Sequence, residues 1–364
     1  MAYTYDFEPS SRQQAFVEYI EEATFGAGIP AKVANTPGPG APNMLWFGSI
    51  TNWDDQSKIK TESKNYLAPA SVTSRTSAVK NAKTGEEVGF NMDYMVQEDN
   101  VLTGLCYALG TNKAGVTATT GATTLPITDT LNSIAVGQAF TNTGWNDATR
   151  FNQFLGMVCE EFTLTIPDEG AVTAKTKWVG VEKTSGVDWV DTGATPKGTH
   201  AADPCTAVLN SQAVSDFKIR TSTYGGVNAT EWVNVPLCRD AVGSIEMKVV
   251  NKVGLPKDMS STWSTKVKAA VLLGRKITLA FDLTYADITG GAIADAITLE
   301  NIRSFKPFDI QYKFDGYLYE YSRARFPELP YKAGGEDLVG DKLTTLPIGD
   351  VCSGTAALVI SKVA

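Results

Sequence analysis

Residues 274–285 read GRKITLAFDLTY. Polar and apolar positions alternate, so Ile277, Leu279, Phe281 and Leu283 fall on one face of an extended strand. Residues 85–94 read GEEVGFNMDY, and Val88, Phe90, Met92 and Tyr94 alternate in the same way. Gly85 aligns with Gly274 and Asp93 with Asp282, each pair 189 residues apart. A second match precedes each strand: Gly48-Ser49-Ile50 and Gly243-Ser244-Ile245, 195 residues apart. Polar segments without strong alternation, 51–75 and 251–268, lie between the matched elements. The same order of strand, polar excursion and strand, written twice, predicts an internal duplication of a β module.

Outward from these strands the pattern stays mostly β. Further strands are expected at 45–52, 160–166, 171–181, 244–251, 307–314, 317–326 and 355–362. Asp315-Gly316 joins FDIQYKF to YLYEYSRARF as a two-residue hairpin turn. EEFTLTIPDEGAVTAKTKW reads as a second hairpin turning at Pro167–Gly170. A helix is expected in SSRQQAFVEYIEEATFG, where Ser11 and Gln14 have capping-box spacing. Shorter helices are expected at 99–109, 146–158 and 291–304. PGPGAP (37–42) is a stiff connector, and the Thr/Gly/Ala-rich stretches 111–130 and 184–200 read as surface excursions. The expected organisation is an N-terminal arm with a helix (1–43), a first module (44–183), an insertion or surface decoration (184–240) and a second module (241–364).

The 364 residues suit two domains of ordinary size. A net charge of −8 argues against a nucleic-acid-binding surface over most of the protein. No apolar run approaches the length that spans a bilayer, and MAYTYDFEPSSRQQ lacks the pattern of a signal peptide. The expectation is a chain folded in a cytoplasm. Five widely spaced cysteines, Cys106, Cys159, Cys205, Cys238 and Cys352, suggest neither a disulfide framework nor a metal clip.

The catalytic inventory is thin. The single histidine, His200, lies in a Gly/Thr/Ala-rich loop. There is no phosphate loop, dinucleotide fingerprint, nucleophile elbow or EF-hand loop. Neither an enzyme nor a cofactor is expected. Glu160 and Glu161 are adjacent on a strand and should point to opposite faces, which excludes them as a catalytic pair. Asp54-Asp55 and Asp168-Glu169 fall in turns. Asn228-Ala-Thr230 is a glycosylation sequon by pattern. Tyr317, Tyr319 and Tyr321 form either a half-buried strand face or a sugar-stacking platform, and Arg323 and Arg325 continue that face towards a partner. Charge is more telling. Lys252, Lys257, Lys266, Lys268, Arg275 and Lys276 are opposed only by Asp258, a local +5 that leaves −13 for the remainder. Such an excursion suits docking on an acidic surface of another copy.

In element order, residues 44–364 resemble the tail tube (major tail) proteins of long-tailed phages and archaeal tailed viruses. The resemblance is carried by SIEMKVVNKVGL, a polar excursion, GRKITLAFDLTYADI, the segment 291–304, FDIQYKFDGYLYEYSRARFPELPY and GTAALVISKV. LCYALG (105–110) and FTLTIPDEGAVTAKTKWVG add to it in the first half. It implies two β-sandwich-like tube modules with short flanking helices, in a structural virion protein. Such proteins form stacked rings around a lumen through which viral DNA is ejected without specific binding. The implied partners are further copies and other tail proteins, with no membrane. The implied place is the virion tail, after assembly in the host cytoplasm. Because such rings are built around sixfold symmetry, two modules per chain imply a trimer rather than a hexamer. Contact between rings is expected from Asp54, Asp55, Lys58, Lys60, Lys252, Lys257, Lys266 and Lys268. Contact within a ring is expected from Glu86, Glu87, Arg275, Lys276, Arg323 and Arg325. The alternatives are a carbohydrate-binding or carbohydrate-active β-protein using the tyrosine face, and another virion or surface-array subunit.

Overall fold

A computed structural model describes residues 15–26, 45–66, 78–98, 100–111, 125, 127–140, 151–185, 206–221, 232–234, 242–256, 267–284, 307–325, 340–347 and 357–363. Within them the protein is mainly β. The first half contributes β1 (Ala15–Glu21), β2 (Leu45–Trp46), β3 (Ser49–Asp55), β4 (Lys58–Tyr66) and β5 (Ala78–Met95). A one-turn helix α1 (Leu105–Ala108), β6 (Ile134–Phe140), β7 (Phe151–Ile166), β8 (Thr173–Gly180) and β9 (Glu182–Ser185) follow. The second half contributes β10 (Val214–Thr221), β11 (Val233–Asn234), β12 (Val242–Gly254), β13 (Val271–Thr284), β14 (Phe308–Phe314), β15 (Tyr317–Arg325), β16 (Gly340–Pro347) and β17 (Leu358–Lys362).

One layer is an antiparallel sheet in the order β3–β5–β8–β7–β12–β13–β16. The strands β2–β1–β6–β7–β9 and β11–β10–β14–β15–β17 form the structure opposite it. The long strand β7 belongs to both, pairing with β6 and β9 through its first half and with β8 and β12 through its second. The alternation that reads as strand in the sequence is used to bury one face. Val88, Phe90, Met92 and Tyr94 are buried, as are Leu279 and Phe281, with Ile277 packed against the same core. Trp178 meets Phe90 and Phe47, and Phe217 meets Phe281 edge-on at 5.3 Å. Trp178 and Phe90 are a cross-strand pair within the large sheet, while Phe217 and Phe281, with the apolar area they remove from water, join the two layers.

The two halves follow one pairing scheme. The pairs β1–β2, β1–β6, β3–β5 and β5–β8 have counterparts in β10–β11, β10–β14, β12–β13 and β13–β16. The pairs β6–β7, β7–β8 and β7–β9 have counterparts in β14–β15, β15–β16 and β15–β17. Register agrees as well. Ile134↔Met157 shifts to Val136↔Phe154, and Phe308↔Ala324 shifts to Ile310↔Tyr321, the same bulge in both halves. The bulged residue has positive φ each time, +63° at Gly156 and +53° at Arg323. Its N–H donates to a carboxylate each time, Glu22 Oε1 at 3.1 Å and Asp309 Oδ1 at 3.0 Å. Gly85 faces Lys60 and Gly274 faces Lys252, each beside a register shift.

Several expectations are corrected. The segment expected as the N-terminal helix forms β1 where it is described. Val17 and Tyr19 point inward at period two, and the full length of the strand pairs with β6. That partner lies more than a hundred residues away, so no local pattern reveals it. The helix expected at 146–158 is strand β7 from Phe151 onward. The polar stretch after Ile50 continues as strand through β3 and β4, because β5 supplies the ladder. The Gly-Ser-Ile match is out of register: Ile50 faces Tyr94, whereas Ile245 faces Phe281, the counterpart of Met92. The expected arm holds β1 and the expected decoration holds β10, both core strands with Val17, Tyr19, Phe217 and Ile219 buried. Residues 291–304 lie outside the described residues. At Asp315-Gly316 both φ values are positive, +46° and +74°, as a type I′ turn requires.

Candidate functional site

Strand direction gives the large sheet two unlike ends. Asp55, Val88, Gly180, Val158 and Asn251 lie at one end, here called upper, and Ser49, Met95, Thr173, Ile166 and Ile245 at the other. Two hairpin arms leave the upper end. The first is β4 with the outer part of β5, and the second is the outer part of β12 with the start of β13. Both are basic in sequence. Residues 58–87 hold Lys58, Lys60, Lys64, Arg75, Lys80 and Lys83 against Glu62, Glu86 and Glu87, a net +3 beside the +5 of residues 252–276. The lower end carries the β7–β8 turn with exposed Asp168 and Glu169. Residues 206–210 lie against that turn, bridged to Gln97 and Ala171.

A cleft of about 430 Å³ opens between the arm roots, where Lys58, Glu86 and Glu87 face Leu255 and Val267. Lys177 and Glu160 form its floor and are ion-paired at 2.8 Å. Asp54, Lys58, Glu87, Lys252, Lys268 and Lys276 are exposed, and Glu86 is half-buried. Asp55 is tied to Lys183 of β9. Burial raises its carboxyl pKa, but the Lys183 ammonium and the Ser57 N–H outweigh this and hold it below the usual value. The side chain of Lys60 is outside the described residues, as are Lys257 and Lys266.

Arg275 is half-buried and bonded within its own chain. Its Nε donates to Asn251 Oδ1 at 2.8 Å and its Nη1 to the Thr128 carbonyl at 2.9 Å. Burial pulls its pKa down, while Asp129 pushes it up. Asn251, itself 1% exposed, donates to the carbonyls of Ala108 and Cys159, both at 2.9 Å. This node, invisible in the sequence, joins α1, β7, β12 and β13. Arg323 and Arg325 are half-buried around the β15 bulge, which brings Ala324 inward between them. The bulge breaks the expected continuous Tyr-to-Arg face.

The face of the large sheet turned away from the core is polar and internally neutralised. Lys175 pairs with Asp93 at 4.0 Å, Lys177 with Glu160 at 2.8 Å and Lys248 with Glu161 at 2.5 Å. Glu160 and Glu161 thus share one face, against expectation. The register shift between Cys159 and Glu161 is a bulge that turns both outward. The last of these pairs crosses the β7–β12 seam, which joins the two halves.

The described residues contain no cluster of three or more metal-ligating side chains. Cys106 and Cys159 are buried thiols, and burial pushes the Cys159 pKa up, away from a reactive thiolate. His200 and Asn228 lie outside the described residues. Tyr319 and Tyr321 are buried and stack with Tyr312, so that face is filled by protein rather than open to a sugar. No helix among the described residues is long and apolar enough to cross a membrane. No protein-family model matches the chain, and no curated protein matches it.

Proposed function

We propose that the chain is a structural subunit of a viral tail tube, built from two copies of one β module and assembling as a trimer with six modules per ring. The observation that carries this reading is the doubled pairing scheme, down to the bulge at Gly156 and Arg323. Its two copies share one continuous sheet through the β7–β12 seam. No described strand continues that sheet beyond β3, and beyond β16 it is continued only by the end of β15, at Ala324↔Pro347 and Arg325↔Leu346. Open sheet edges invite further pairing, and ring closure uses that tendency while ending it. In this reading the polar face of the large sheet lines the lumen. Lys175, Lys177 and Lys248 each sit beside a carboxylate, so they offer passing phosphates little net attraction. The two basic arms project along the tube axis towards the next ring.

The test is electron microscopy of the purified full-length chain, with class averages viewed down the particle axis. Rings or tubes with threefold density and six similar lobes are expected. Strict sixfold density at the periphery overturns the trimer. Monomers or flat arrays overturn the tube.

A further inference from the structure

The three large apolar side chains that stand exposed among the described residues lie at the two ends of the large sheet. Val271 and Leu273, 44% and 60% exposed, are on the second arm at the upper end. Leu273 is the residue skipped where the register shifts from Lys252↔Gly274 to Val253↔Leu272. Its side chain lies over Gly254, where a Cβ would come within 3.2 Å of it. The bulge therefore holds an apolar side chain outward on a basic hairpin, with Lys252, Lys268 and Lys276 exposed around it. Val208, 40% exposed, is at the lower end. It is held there by backbone bonds on either side of Leu209, whose N–H donates to Val96 O and whose carbonyl accepts from Val172 N, both at 2.8 Å. Its surroundings are acidic. Glu98 N–H donates to the Ala207 carbonyl, and Ser211 Oγ donates to the Asp168 carbonyl, which brings exposed Glu98, Asp168 and Glu169 close to it.

We propose that the lower-end surface of Val208, Glu98, Asp168 and Glu169 receives the β12–β13 arm of a second copy. Val271 and Leu273 cover Val208, and Lys252 and Lys268 meet the carboxylates. The two ends match: each has an exposed apolar centre, and the charges at their rims are opposite. The centre supplies most of the binding, and the rim steers and selects orientation. Donor and acceptor lie at opposite ends of one molecule, so the contact does not close on itself and propagates along an axis. The proposal rests on the tube reading for the identity of the partner as another copy.

The test mixes two variants of the full chain, Val208→Cys and Leu273→Cys, each made with Cys205, Cys238 and Cys352 replaced by serine, under mild oxidation. Leu273→Asp and Val208→Asp are made separately for sedimentation and negative-stain imaging. A disulfide dimer forming in the mixture well above either variant alone is the expected result. Each aspartate variant should weaken end-to-end association on the order of tenfold while its thermal unfolding stays unchanged. Charge reversal at Asp168→Lys with Glu169→Lys should lose stacking, and combination with Lys252→Glu and Lys268→Glu should restore it. Rings that form while the mixture fails to cross-link, or aspartate variants that stack as well as the parent, overturn this contact and leave the tube reading standing. Cross-linking by a chain that forms no rings keeps the contact and overturns the tube.

Discussion

Gly156 and Arg323 show what single positions carry. They are counterparts in the two halves, both with positive φ, but one is glycine and the other is not. A Cβ on Gly156 would fall 2.5 Å from Val181 Cγ2, so Gly156→Ala meets both a clash and an unfavourable backbone conformation. A Cβ on Gly316, at φ +74°, would meet nothing within 4 Å, so Gly316→Ala meets only the backbone term. Chemical denaturation should show a loss of about 1 kcal/mol for Gly316→Ala and about 3 kcal/mol for Gly156→Ala. Asn251 is the second such position. Asn251→Leu leaves the Ala108 and Cys159 carbonyls and Arg275 Nε without the partners they now have. The expected cost is about 3 kcal/mol, read from the shift in denaturation midpoint at unchanged slope.

At the scale of elements, β9 is clipped to β3 by Lys183 and Asp55, and Lys183 also lies over the Phe154 ring at 5.3 Å. The folded pKa of Asp55 is depressed. The pair therefore adds stability above the unfolded carboxyl value of about 3.9, and this is lost as pH falls through the lower folded value. Both side chains are partly exposed, so the contribution is modest. Denaturation at about pH 7 and about pH 3 should show a smaller acid-induced loss for Asp55→Asn than for the parent. Elements also show where local reading stops. The strands with clean alternation, β5, β13, β14 and β15, are legible because one face is core and the other is not. Strand β1 is not legible as a strand: the Ser11/Gln14 spacing before it suits a helix start, and only β6 decides otherwise. The bulge in β7 is likewise silent in sequence, although it determines that Glu160 and Glu161 share a face.

Across the whole molecule, charge is arranged along the strands, with basic arms above and the Asp168-Glu169 turn below. An axial contact built on that arrangement is screened by salt. Sedimentation in about 0.05 M and about 1 M salt should show end-to-end association falling at high salt. If the chain forms the proposed rings, their size should stay constant, because lateral pairing through sheet edges would rest on backbone hydrogen bonds and apolar burial. Persistence of the stack at high salt would place its energy in the apolar centre at Val208, Val271 and Leu273 alone.

By itself, the sequence determined that this protein is mainly β. Its alternating strands recur, Gly85 and Gly274 mark equivalent places, and Asp315-Gly316 closes a hairpin. These are local facts, set by side-chain period and by which φ values glycine and aspartate tolerate. Tertiary structure alone decided the register in which the two halves correspond, where Ile50 and Ile245 are not equivalent. It also decided the recruitment of β1 and β10 into the core, the bonding of Arg275 within its own chain, and the placing of both basic arms at one end of one sheet. The physical reason is the same for each. A β-ladder is made with a partner distant in sequence, and that partner, not the neighbouring residues, decides which face, which register and which end a side chain occupies.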